Sequence, residues 1–176
     1  GRTRVRVRCR VQARARRALT ISYEYLGLAT AESGDTNGAL ELQRRGLEMR
    51  ESLVAADPLN TDLRLMLNES YRYVGDLLFK LGDRQAAQEH YRKQLALTRE
   101  MVAADPSNAQ FRSNEAVALI KIGDIEANSA RLAQALSHYQ EALRIREQLH
   151  SAANLDTNIR RELAEVWLKL GDVLDQ

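Results

Sequence analysis

The chain has 176 residues with only 2 Pro, 9 Gly and 5% aromatics, which excludes a turn-rich all-β protein and leaves a core of Leu, Ala, Val and Ile. One cysteine excludes an intrachain disulfide framework and a cysteine-built zinc site, and no apolar run nears the ~18 residues of a membrane span. Residues 1–17 hold eight arginines and no acid, so the net charge of +2 becomes 18 Lys+Arg against 24 Asp+Glu over 18–176, a net −6 that rules out a nucleic-acid-binding body.

Residues 1–11 are an arginine-rich lead-in. Arg2, Arg4, Arg6, Arg8 and Arg10 alternate with Val5, Val7, Cys9 and Val11, which taken alone reads as a strand. Disorder or continuation of the following helix are the other readings. Contact with nucleic acid or an anionic surface is confined to this stretch.

From residue 12 the chain repeats. YEYLG (23–27), YRYVGD (71–76), LIKIGD (119–124) and WLKLGD (167–172) recur every 48 residues, with Gly27, Gly75, Gly123 and Gly171 in register. Ala39, Ala87 and Ala135 keep that period, as do Arg16, Arg64, Arg112 and Arg160. VAADPLN (54–60) and VAADPSN (102–108) do so too, with SAANLDT (151–157) as a degenerate third copy. A shared period at so many independent positions marks a repeat protein.

Each unit reads as two helices. Leu63, Leu67, Tyr71, Val74, Leu78 and Leu81 step by three or four, as do Ala87, Tyr91, Leu95, Thr98 and Val102; each set is one buried helix face. Gly82 suits a C′ position and Asp83 an N-cap. Pro58 and Pro106 stop the second helices, and Asn60 and Asn108 cap the next ones. Seven helices follow, near 12–33, 36–56, 60–81, 84–104, 108–128, 131–153 and 156–175. They group into units 12–59, 60–107 and 108–155 and a half unit 156–176. A helix costs about 1 kcal/mol to keep a mid-helix Gly, so Gly75 and its equivalents imply a paired-helix backbone too close for a Cβ.

Tyr71, Val74, Gly75 and Leu78, then Gly82-Asp83, Ala87 and Tyr91, then Pro106, resemble the tetratricopeptide repeat. Trp167, Leu170, Gly171 and Leu174 fit the start of its pattern best. The resemblance covers about residues 12–176 and implies an all-α, right-handed superhelix of antiparallel helices. The family period is 34 residues, against 48 here. The surplus is seven residues per helix, which lengthens each by two turns with only about 20° of rotation. Gln94 replaces the family's second Ala and Gln43 its aromatic, so looser packing is expected there. The long repeat is also similar to the arrays that follow bacterial serine/threonine kinase domains. No kinase motif occurs in this chain.

In the family the first helix of each pair lines a concave groove. Carried over position by position, that implies Glu24, Tyr25 and Leu28; Glu69, Arg72, Tyr73, Asp76 and Lys80; Lys121, Asp124 and Asn128; and Glu165, Lys169 and Asp172. Asp76, Asp124 and Asp172 share one repeat position and are expected to align. The implied partner is a protein or peptide, with no metal, no cofactor and no small-molecule substrate. Oligomerisation by stacking of end faces, above all the apolar face of 156–176, is the alternative. The family's carboxylate clamp needs Lys and Asn where Glu24 and Leu28 stand, which excludes it. His90 and His138 converge with no third ligand. No catalytic constellation is present. The absence of disulfides points to the cytoplasm, with an extracytoplasmic part of a membrane-anchored kinase as the alternative.

Overall fold

The computed structural model describes residues 2–152 and 157–174, with side chains described for 14–151 and, in the last helix, for 161, 164–169 and 171–173. Seven helices run in order: α1 (Arg2–Glu32), α2 (Thr36–Ala56), α3 (Thr61–Lys80), α4 (Arg84–Ala104), α5 (Ala109–Ala127), α6 (Leu132–Ala152) and α7 (Thr157–Leu174). There is no strand among the described residues, and the chain is an all-α helical repeat. It divides into two compact units, 1–87 and 88–176.

The helix ends follow local chemistry. The Asn60 side chain accepts from Leu63 N at 3.2 Å, and that of Asn108 accepts from Gln110 N and Phe111 N; both are N-caps. Gly82 adopts φ +87°, and Asp83 N donates to Leu78 O at 3.0 Å. This is the Schellman closure that only glycine enters without strain. Asp83 then caps α4 by accepting from Ala86 N at 3.0 Å.

The expected faces are largely buried. Val74 and Leu78 are 0% and 2% exposed, and Ala39, Ala87 and Ala135 are all 0%. Two positions differ from expectation. Leu81 is the exposed C-cap of α3, beyond the last turn that could bury it. Met101 rather than Val102 fills the interior of α4, so the buried stripe there drifts by one residue. Of the readings of the lead-in, continuation of the following helix holds. Helix α1 begins at Arg2 and passes through residues 2–11 without a break, so the alternation does not make a strand; with no second strand to pair with, the backbone satisfies itself in the helix.

The glycine expectation needs a sharper form. A Cβ on Gly123 would lie 2.5 Å from Tyr139 Cε1, and one on Gly27 would lie 2.6 Å from Gln43 Nε2. Side chains of the paired helix, rather than its backbone, occupy the space. Gly171 has nothing within 4 Å, because no further helix lies against it among the described residues. Gly27, Gly123 and Gly171 are equivalent in sequence and unequal in space. Gly123→Ala is therefore expected to destabilise by about 1–3 kcal/mol through overpacking. Gly171→Ala is expected to stabilise by up to about 1 kcal/mol through helix propensity. Thermal unfolding of the two variants checks the opposite signs.

Candidate functional site

In the first unit the nominated residues are held mostly by one another. Arg72 Nη2 donates to Glu69 Oε2 at 2.7 Å, and Nη1 to Asp76 Oδ2 at 3.3 Å. Its guanidinium lies 4.3 Å from the Tyr73 ring centroid. Burial works against the Arg72 charge, and the two carboxylates more than offset it, so its pKa is raised. These four residues form a cluster about two helical turns long on α3. Tyr25 is 68% exposed, Leu28 is half-buried and Lys80 is exposed.

Glu24 points elsewhere. Its carboxylate pairs with Arg50 of α2, whose side chain is 1% exposed. Arg50 Nη1 also donates to Ser70 Oγ at 2.7 Å and to Met66 O at 2.9 Å. One buried guanidinium thus ties α2 to α1 on one side and to α3 on the other. The sequence reading missed this residue, although the register held the clue. Arg50 and Arg146 lie two periods apart, and Arg146 is 2% exposed with Nη1 donating to Ser113 Oγ at 2.8 Å.

In the second unit α5 and α7 bring the nominated residues together. Asp124 Oδ1 accepts from Tyr139 OH and from Lys169 Nζ, both at 2.7 Å. Asn128 caps α5 and donates to Asp124 O at 2.7 Å. With Asp172, Ala127 and Val173 these residues line a cavity of about 390 Å³. A second cavity of about 340 Å³ is lined by Val117, Ile120, Lys121, Arg146, Arg161 and Glu165. Among the described residues, the first carries two carboxylates and one ammonium, and the second three cations and one carboxylate. Pockets of opposite sign lined by α5, α6 and α7 suit charged side chains of a bound chain.

Burial, together with the hydrogen bond to Asp124, pushes the Tyr139 phenol up, well beyond its ordinary 10.0. Burial and Glu51, which accepts from Tyr71 OH at 2.9 Å, do the same to Tyr71. Both phenols therefore keep their protons in the folded chain at pH values where the unfolded chain has lost them. Their contribution is complete below pH 10 and is lost as pH rises above it. Each tyrosine is expected to steepen alkaline unfolding by at most about 1.4 kcal/mol per pH unit. Tyr139→Phe is expected to flatten that slope in a denaturant titration series.

The remaining expectations divide. His138 Nδ1 lies 2.8 Å from Oε2 of the buried Glu126, and no group of three His, Cys, Asp or Glu side chains converges among the described residues. Gln43 and Gln94 are 3% and 1% exposed, so both substituted positions are interior; Gln43 Nε2 donates to Glu24 O at 3.1 Å. Trp167 is 58% exposed, whereas a structural repeat position was expected to be interior. Its equivalents Tyr71 and Leu119 are 9% and 0% exposed. The difference is the absence of a covering helix beside α7 among the described residues. Among those residues no helix is long and apolar enough to cross a membrane.

Comparison with known proteins agrees with this geometry. One tetratricopeptide repeat profile matches residues 19–58 and 111–156, and a second matches 74–101; together they span well over half of the chain. No curated protein matches the sequence. Among solved structures, BtubC (BKLC) from P. vanneervenii is 18% identical with a TM-score of 0.70, over 89% of this chain and 56% of that one. The apo form of RapI is 14% identical with a TM-score of 0.71, over 90% of this chain and 37% of that one. The N-terminal domain of stress-induced protein-1 (STI-1) from C. elegans is 16% identical with a TM-score of 0.55, over 86% of this chain and 97% of that one. The chain thus spans about half or less of the first two, and at these identities the likeness is one of fold. The repeat register, the helix pairing and the profile matches agree, and the chain belongs to the tetratricopeptide repeat family.

Proposed function

We propose that the chain is a non-enzymatic scaffold that binds a protein or peptide across the first helices of its repeats. The family is in general an interaction module, and the observation that carries the reading here is the pair of oppositely charged cavities on α5 and α7. They are lined by six of the nominated residues: Lys121, Asp124, Asn128, Glu165, Lys169 and Asp172. A preformed polar surface loses little entropy when it captures a flexible segment. Glu24, Tyr25, Glu69, Arg72, Tyr73 and Asp76 are the candidates of the first unit, taken by itself. The 48-residue period, with its likeness to kinase-attached arrays, supports a regulatory module within a larger bacterial polypeptide such as a serine/threonine kinase. Cytoplasmic placement goes with that reading.

Selection of a random peptide library on the immobilised chain tests the scaffold reading. Enriched peptides are expected, and Asp172→Lys with Glu165→Lys should weaken them at least about tenfold. Both side chains are exposed, so circular dichroism should stay unchanged. A library that yields no binder, or binders indifferent to the double variant, contradicts the proposal.

A further inference from the structure

Helix α1 leaves uncovered a face that the fold buries one repeat later. In α3, Leu63, Leu67, Ser70 and Val74 are 8%, 5%, 1% and 0% exposed, and α2 lies against that helix through Arg50. The residues 48 positions earlier are Ala15, Leu19, Ser22 and Leu26. Ala15 and Ser22 are exposed, and Leu19 and Leu26 are 45% and 55% exposed. Adding Ala29, also exposed, the spacing runs 4-3-4-3, the repeat of a helix–helix seam. Small residues form its centre. At about 100° per residue, Leu19 and Leu26 flank that centre on one side, and Ile21 and Tyr25, 36% and 68% exposed, flank it on the other.

The order Ala-Leu-Ser-Leu-Ala reads the same in both directions. An antiparallel copy turned about a two-fold axis at Ser22 therefore sets Leu19 against the second copy's Leu26, and small centre against small centre. Charge fits the same arrangement. Arg14 and Glu32 are both exposed and lie on the Tyr25 side of the seam. They stand eight residues before and ten after Ser22, about 12 and 15 Å along the axis. Two-fold pairing brings Arg14 of each copy within side-chain reach of Glu32 of the other. A parallel arrangement would leave Arg14 and Glu32 of different copies about 27 Å apart along the axis.

We infer that α1 is a homodimer seam, in which a second copy of this chain docks antiparallel through Ala15, Leu19, Ser22, Leu26 and Ala29. The surface is modest, so the dissociation constant is expected in the micromolar range, on the order of 10 μM. The seam shares no residue with the cavities on α5 and α7 that carry the scaffold reading, and its failure leaves that reading untouched.

Sedimentation velocity across concentrations from about 1 to 200 μM tests it. The expected result is a shift from the 19.9 kDa monomer to twice that mass. Leu19→Glu with Leu26→Glu should stay monomeric with unchanged helicity. Arg14→Glu should weaken the dimer about tenfold, and Arg14→Glu with Glu32→Arg should restore it. In a Cys9→Ser background, Ser22→Cys should oxidise to a covalent dimer, while Ser107→Cys, in an exposed turn, should not. A monomer at every concentration overturns the inference, as does a dimer that survives the double Glu variant or a Ser22→Cys chain that fails to cross-link. A monomer that instead binds an isolated amphipathic helix on this face overturns it too.

Discussion

Replacing Arg50 by Ala is expected to lower the free energy of unfolding by about 3 kcal/mol, among the largest effects of any single change to the polar side chains. The guanidinium is 1% exposed and holds three partners on two helices: the Glu24 carboxylate, the Ser70 hydroxyl and the Met66 carbonyl. Alanine leaves a void and strands the Ser70 hydroxyl and a half-buried carboxylate. Arg50→Met keeps most of the volume, and Glu24 retains access to water, so it is expected to cost about half as much. Chemical denaturation of the two variants measures the difference. Equal losses would mean that only volume matters at this position; no loss in either would mean that α2 is not tied to α3 through Arg50.

Leu119→Ala is expected to cost about 2–5 kcal/mol, as truncation of a fully buried leucine does. Trp167→Ala, at the same repeat position 48 residues later, is expected to change stability by less than about 0.5 kcal/mol. Leu119 is 0% exposed and Trp167 58%. The sequence treats the two alike, and only the presence of α6 against α5 separates them. The pair therefore isolates tertiary cover from sequence pattern. Comparable losses in the two variants would mean that Trp167 is buried by something beyond α7.

The same distinction explains what could be read from the sequence. Helix ends at Asn60, Asp83 and Asn108 depend on groups within three residues of each other, and the expected boundaries of α2 to α6 agree with the structure to within one residue. Buried faces repeat with the period, which is why Ala39, Ala87 and Ala135 could be named together. What depends on a neighbour far along the chain was not legible. Gly123 and Gly171 look identical until Tyr139 is seen over one and open space over the other. Asp124 reads as a free groove carboxylate until Tyr139 OH and Lys169 Nζ are found on the same oxygen. Arg50 reads as one more charged residue on a charged helix. Its burial follows from lying between two helices at once, which no single-helix pattern encodes. The start of α1 at Arg2 was left open for the opposite reason, since strict alternation set a strand beside disorder and helix continuation in the local reading.

The claim beneath all of this is that in the α1–α2 and α5–α6 hairpins, two periods apart, the second helix lays a side chain over the glycine of the first. Nuclear Overhauser spectra of the isotope-labelled chain measure it directly. Cross-peaks should join the Tyr139 ring protons to the Gly123 α-protons, and the Gln43 side-chain amide to the Gly27 α-protons, at the same 16-residue offset. Gly171, with nothing within 4 Å of its Cβ direction, should show no such partner. Cross-peaks that place Tyr139 or Gln43 against any other turn of the preceding helix would contradict the repeat.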